Sequence, residues 1–172
     1  LAKLNNIKDD GVTFRSSVDG SKHFITPEKA IEIENNLGAD IIMAFDQCSE
    51  YGADHKASEK AMKRTLNWLD RCYNHHKIEN QALFPIVQGN MFKDLRATSL
   101  KETIPYAKYG IGIGGLSVGE PKNIMYDIMD SMYPLYPTHI PRYLMGVGSP
   151  DCLIEGVRRG IDMFDCVLAT RI

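Results

Sequence analysis

Several things are scarce in this sequence of 172 residues, and each scarcity removes a class of function. No run of about 18 apolar residues occurs, so no membrane-spanning helix is expected. Basic charge is not in excess: 20 Lys and Arg stand against 22 Asp and Glu, for a net charge of −2. A surface coated for non-specific nucleic-acid binding is therefore excluded, and only a local basic patch stays open. Cysteine is sparse, with Cys48, Cys72, Cys152 and Cys166 standing singly and no CxxC pair among them. The five histidines form no HExxH-like set, so no zinc site is expected within these residues. Such isolated thiols read as reduced groups of a cytoplasmic protein. The opening LAKLNNIKDD has neither signal-peptide character nor an initiator Met, and LATRI follows directly on an apolar run. Both ends read as cut. The length alone fits one domain of ~100–200 residues, and the whole of 1–172 is taken as one domain, the central part of a longer one.

What is present is an alternation of short apolar runs with amphipathic stretches. Thr26-Pro27 opens a helix as N-cap and first-turn proline, and Gly38 closes it. Residues 57–77 predict the clearest helix, with Ala61, Thr65, Trp68, Leu69 and Cys72 on one face and Lys60, Lys63, Arg64 and Asn67 largely off it. Helices are also expected over about 91–103, from Glu120-Pro121 onward, and from Ser149-Pro150 to Gly160. Strands are expected at 39–46, 82–89, 109–116, 142–148 and 163–168, with Pro85 a blemish in the second. The segment 11–26 reads as a hairpin turning at Asp19-Gly20. Five apolar, non-alternating strands separated by helices imply an α/β fold with a parallel sheet covered by helices. An open doubly wound sheet and part of a (β/α)8 barrel both fit. A full barrel takes ~250 residues, so length favours the former and the cut ends favour the latter.

The strands end, in order, on Asp46, Gln88, Gly114-Gly115, Gly146 and Asp165. In a parallel α/β architecture these ends share one rim, where ligands bind. Two carboxylates, an amide and backbone-exposing glycines would suit a flat polar ligand. Each also has a plain structural alternative: Asp46 could cap a loop, and Gln88 before Gly89 could be turn chemistry. Asp162, beside Gly160, suits a turn. Asp165, set between Phe164 and Cys166, is costly there unless paired or functional. Gly110, Gly112 and Gly115 match the spacing of a dinucleotide fingerprint. Two of them fall inside the strand-like run, however, and the helix begins later than that motif requires. A nucleotide-dependent oxidoreductase rests on that match alone.

MAFDQC (43–48), PIVQGN (85–90), GIGGLSVGEP (112–121), RYLMGVGSP (142–150) and GIDMFDCVLATR (160–171) together resemble the tRNA-guanine transglycosylases, nearest to the bacterial branch, with WLDRC (68–72) adding support. The likeness covers essentially the whole chain in the family's order. It implies a (β/α)8 TIM barrel, of which this chain supplies about five strands. It further implies exchange of the wobble guanine in a tRNA anticodon loop for a 7-deazaguanine, aminomethylated or queuine. A second catalytic aspartate would precede Leu1, and the ligands of a structural Zn2+ would follow Ile172. A homodimer is implied as well.

Carried over by position, Asp165 would be the nucleophile and Asp46 would accept from the donor edge of the purine. Gln88 and the Gly115 N–H would meet its carbonyl edge, with Cys48, Gly114 and Gly146 in the same pocket. The Leu116 carbonyl, near Glu120, would meet an aminomethyl group, Met145 would cover the ring, and Arg171 would address RNA. Three positions depart from the family pattern. Gln47 replaces a glutamate and removes a charge expected beside the pocket, Asn90 replaces a glycine, and Ala169 replaces a proline. A non-catalytic tRNA- and partner-binding subunit of the same fold is the alternative, and the presence of Asp46, Gln88 and Asp165 weighs against it.

Overall fold

Residues 5–171 are described by the computed structural model. Three antiparallel strands come first: β1 (Asn5–Lys8), β2 (Gly11–Arg15) and β3 (Lys22–Ile25), paired in that order. The β2–β3 hairpin is the expected one, and the Asp19 carboxylate fixes its turn by accepting from both the amide and the hydroxyl of Ser21. β1 lies outside the stretch read as a hairpin.

α1 (Pro27–Leu37) begins and ends where its punctuation placed it. Thr26 accepts from the Lys29 amide, and Gly38 takes the left-handed conformation that closes the helix. β4 (Ile41–Met43) follows, then α2 (His55–His75), capped by Asp54 accepting from the Ala57 amide. Ala61, Thr65, Trp68, Leu69 and Cys72 are buried as expected. Arg64 is buried too, contrary to its reading as an off-face residue, because its guanidinium donates to Asp9 and to Gln47. Trp68 is fully buried, stacks on Phe45 with centroids 4.8 Å apart, and donates its indole N–H to the Asp9 carbonyl. Truncating such a side chain typically costs about 3–5 kcal/mol.

The run read as one strand over 82–89 is two: β5 (Ala82–Phe84) and β6 (Ile86–Val87). Pro85 has no N–H to give a ladder, and the pairing changes sides there. β5 lies parallel to β4, while β6 lies parallel to β7 (Ile111–Ile113). The carbonyls of Phe84 and Pro85 join the two, accepting from Ala44 and Gly112 respectively. β8 (Arg142–Leu144) and β9 (Met163–Phe164) extend the second sheet in the order β6-β7-β8-β9, all parallel.

Between these strands run α3 (Lys93–Thr103), α4 (Lys122–Met132) and α5 (Pro150–Arg158), and α6 (Leu168–Arg171) comes last. Every strand is shorter than its apolar run suggested. In 163–168 the strand stops at Phe164 and the chain turns into α6, which places Asp165 just past a strand end rather than within one. Pro121 and Ser149 precede their helices without a side-chain cap; Ser149 donates instead to Asp151.

The architecture is α/β with parallel strands that follow the chain in order. Among the described residues there is no reversal of strand order of the kind a doubly wound sheet contains. Met125, Ile128, Met129 and Met132 of α4 pack with Val87, Ile111, Ile113 and Leu144 in one core. Ile31, Ile42, Leu69 and Cys72 form a second core around β4.

Candidate active site

Asp46, Gln88, Gly114-Gly115, Met145-Gly146 and Asp165 all follow the C-terminal ends of parallel strands, as the strand pattern required. They form two hydrogen-bonded groups. In the first, Gln88 donates from Nε2 to an Asp46 carboxylate oxygen at 2.6 Å, so the two side chains expected to meet a base are engaged with each other. Gln88 is 2% exposed, its backbone N–H donates to Ser99 of α3, and its Oε1 is buried with no partner among the described residues. Burial pushes the Asp46 carboxyl up from its ordinary value, and the Gln88 bond only partly opposes this.

Gly115 sits against this pair at φ 65, in the left-handed region. A side chain there would be strained, and its Cβ would lie 2.3 Å from Gln88 Oε1. The helix side of the same rim holds Arg96 of α3, 1% exposed, which donates to four backbone carbonyls. Nε reaches Asn90 at 2.7 Å, Nη1 reaches Gly114 at 2.6 Å and Val87 at 3.3 Å, and Nη2 reaches Gly115 at 2.9 Å. No carboxylate pairs with it among the described residues. Burial draws its guanidinium down to about 10, which leaves it charged at neutral pH.

Asn90 shows why its position tolerates a residue other than glycine. Its φ is 53, a left-handed conformation in which asparagine is the best-tolerated alternative, and its Nδ2 ties the Glu50 carbonyl to Ser58 of α2. Gln47 corrects an expectation. Its Oε1 accepts from Arg64 at 2.6 Å, so the side chain is committed to α2, and a missing glutamate there removes charge from the Arg64–Asp9 cluster. Cys48 is exposed, and its thiol donates to the neighbouring Ser49 carbonyl.

The second group surrounds Asp165, which is exposed rather than buried. Its Oδ1 accepts twice, from the Tyr143 hydroxyl at 2.8 Å and the Gly146 N–H at 2.6 Å, and Oδ2 accepts nothing among the described residues. Burial first, and the Asp165 bond second, push the Tyr143 hydroxyl up to about 12. It remains a donor throughout the ordinary pH range. Met145 reaches back over β7, with its sulfur 3.3 Å from where a Cβ on Gly112 would stand.

A groove of about 250 Å³ adjoins Asp165, lined by Glu120, Lys122, Gly146, Cys166 and Arg171 among others. Glu120 is turned onto the loop before it, accepting from the amides of Ser117 and Val118. Planarity of the 116–117 peptide then directs the buried Leu116 carbonyl away from Glu120. The dinucleotide reading has no support here: Gly112 lies within β7, Gly115 just beyond it, and α4 begins only at Lys122. Among the described residues no group of three His, Cys, Asp or Glu could hold a metal ion, so the residues present do not fit the implied zinc.

Sequence reasoning missed Arg96, Tyr143 and the role of Asn90. Arg96 had one available signal: it falls on the same face of α3 as the buried Ser99, Leu100 and Thr103.

A family model described as queuine tRNA-ribosyltransferase matches residues 1–172. Similar curated proteins named queuine tRNA-ribosyltransferase come from Desulforamulus reducens, 59% identical over 172 residues, and Acetivibrio thermocellus, 60% identical over 173. Another, from Pelotomaculum thermopropionicum, is 55% identical over 172. In each case the alignment covers 100% of this chain and 46% of the relative, so the chain spans less than half the length of these relatives.

Proposed function

Because the chain belongs to the queuine tRNA-ribosyltransferase family, we propose that it carries the base-recognising rim and the nucleophile of a tRNA-guanine transglycosylase. The whole protein, in this reading, closes a (β/α)8 barrel, acts as a homodimer, and exchanges the wobble guanine of an anticodon loop for a 7-deazaguanine. Its structural zinc lies outside this chain and takes part in no step below.

The observation that carries the reading is the asymmetry of the Asp165 carboxylate. Tyr143 and Gly146 hold Oδ1, so Oδ2 is the oxygen left to attack. Oδ2 forms a bond to the anomeric carbon as the bond from that carbon to guanine N9 breaks. The base leaves with the electron pair and takes up a proton. The incoming base then displaces the aspartyl ester through its own ring nitrogen, losing a proton, and the carboxylate is restored. Two inversions retain the ribose configuration, as in retaining glycosidases.

Asp46 accepts from the amino and ring N–H donors of the purine, and the Gly115 N–H meets its carbonyl. An aminomethyl substituent meets the Leu116 carbonyl, and Met145 covers the ring. Arg171, exposed on α6, reaches RNA beside the groove, and a target base presented in a single-stranded loop can be unstacked at modest cost.

The test uses the full-length protein with tRNA and a purine analogue that cannot complete exchange. An RNA–protein adduct that survives denaturation is expected from wild type. An Asp165→Asn protein that accumulates the adduct at the wild-type rate would sink the assignment.

A further inference from the structure

Arg96 belongs to no part of the function just described, yet it is the most thoroughly buried cation among the described residues. Its four acceptors are all backbone carbonyls, one at the end of β6 and three in the loops that follow β6 and β7. That geometry has a consequence on the opposite face of each peptide. In a planar trans peptide the N–H points away from the C=O. With the Gly114 carbonyl drawn toward Arg96, the Gly115 N–H is aimed away from the helix layer. With the Gly115 carbonyl drawn the same way, the Leu116 N–H follows. A cation on one side of a peptide also polarises it and strengthens the donor on the other.

We propose that Arg96 is the positioning residue of the base-recognising rim: it holds the Gly114–Gly115 turn so that its N–H donors face the pocket, and thereby sets selection for a base bearing a carbonyl. The inference rests on the reading of this rim as a purine site. Three observations converge on it. Gly115 is held at a φ of 65, so something must fix a turn that is intrinsically free to move. Gln88, the other side chain at this edge, spends one of its two N–H donors on Asp46, so the backbone amides carry much of the rim's remaining donor capacity. The Asn90 carbonyl takes the remaining strong bond, so one guanidinium locks the Gln88–Asn90 loop and the Gly114–Gly115 turn in register.

The experiment compares guanine with 2-aminopurine, which keeps the ring and the amino group but lacks both the carbonyl and the N1 proton. The N1 difference is common to every variant, so a change in preference between variants reports the carbonyl contact. Dissociation constants are measured calorimetrically on full-length wild type, Arg96→Met and Arg96→Lys, with melting temperatures recorded alongside. Wild type should prefer guanine. Arg96→Met should lose about ten- to hundredfold in guanine affinity, as expected for losing a well-placed hydrogen bond, and should bind 2-aminopurine as wild type does. Arg96→Lys keeps the charge without the planar fork. It should fold and show an intermediate ratio, which keeps the proposal open to refutation if the methionine variant is unstable. Variants whose guanine preference equals that of wild type, whatever their melting temperatures, overturn the role of Arg96. A wild type that does not distinguish the two purines overturns the reading of the rim itself.

Discussion

The two carboxylates of this rim stand in opposite surroundings. Asp46 is drawn into the wall, bonded to a buried glutamine, and pushed toward its neutral form by burial. Asp165 stands exposed just past a two-residue strand, with one oxygen held and the other accepting nothing among the described residues. The difference suits the two tasks proposed for them. Recognising a base by hydrogen bonds requires a dry and rigid surface, because each bond discriminates only when water cannot replace it. Attack on a ribose carbon requires that a bulky RNA reach the oxygen, so that side stays open.

The sharpest way to break the comparison is to neutralise each carboxylate in turn in the full-length protein. Asp165→Asn should lower base-exchange turnover by on the order of 10³-fold or more, the usual scale for removing a nucleophile, with guanine binding unchanged by calorimetry. Asp46→Asn should do the reverse and weaken guanine binding about ten- to hundredfold through the loss of a charged acceptor. It should also stabilise the protein. A carboxyl raised above its unfolded value binds protons more readily folded than unfolded, so its ionisation costs stability as pH rises through the raised folded value. Melting curves at neutral pH should place Asp46→Asn above wild type by on the order of 1 kcal/mol. The gap should close as pH falls to the ordinary carboxylate value, and a gap that instead widens in acid would contradict the burial argument.

Tyr143→Phe tests the held oxygen more gently. One of its two donors remains, so kcat should fall about tenfold with KM for guanine unmoved, a split a general loss of structure would not produce. The smallest effect is expected from Gln47→Glu. Its side chain is committed to Arg64, so the ratio of kcat/KM for aminomethylated and unmodified base should stay within about twofold, because a charge added there pairs with the guanidinium and favours neither base. A larger change in that ratio would return Gln47 to the pocket.

What the sequence made legible follows from where residue type carries the physics. Thr26, Pro27 and Gly38 bracket α1 because capping is a property of those side chains, and the same holds for the Asp19-Gly20 turn. The strand-end residues were found because a polar group closing an apolar run stands out. Pro85 was noticed, but not that pairing switches sides there, since both neighbours lie far off in sequence. Asp165 was expected within a strand; Val167 and Leu168 lengthen the apolar run without lengthening the strand. The partners of Arg96 were hidden for a deeper reason: they are carbonyls, which every residue has, so only its place on the buried face of α3 marked it.

That reason reaches into how the protein tolerates change. A guanidinium paired with a carboxylate can be orphaned by altering either residue, whereas one paired with the main chain has a single point of failure. Exchanging Val87 or Asn90 alters a side chain and leaves the oxygen that Arg96 grips. In a saturation screen for base exchange, conservative apolar replacements of Val87 and glycine at Asn90 should therefore be accepted, while Arg96 accepts almost none.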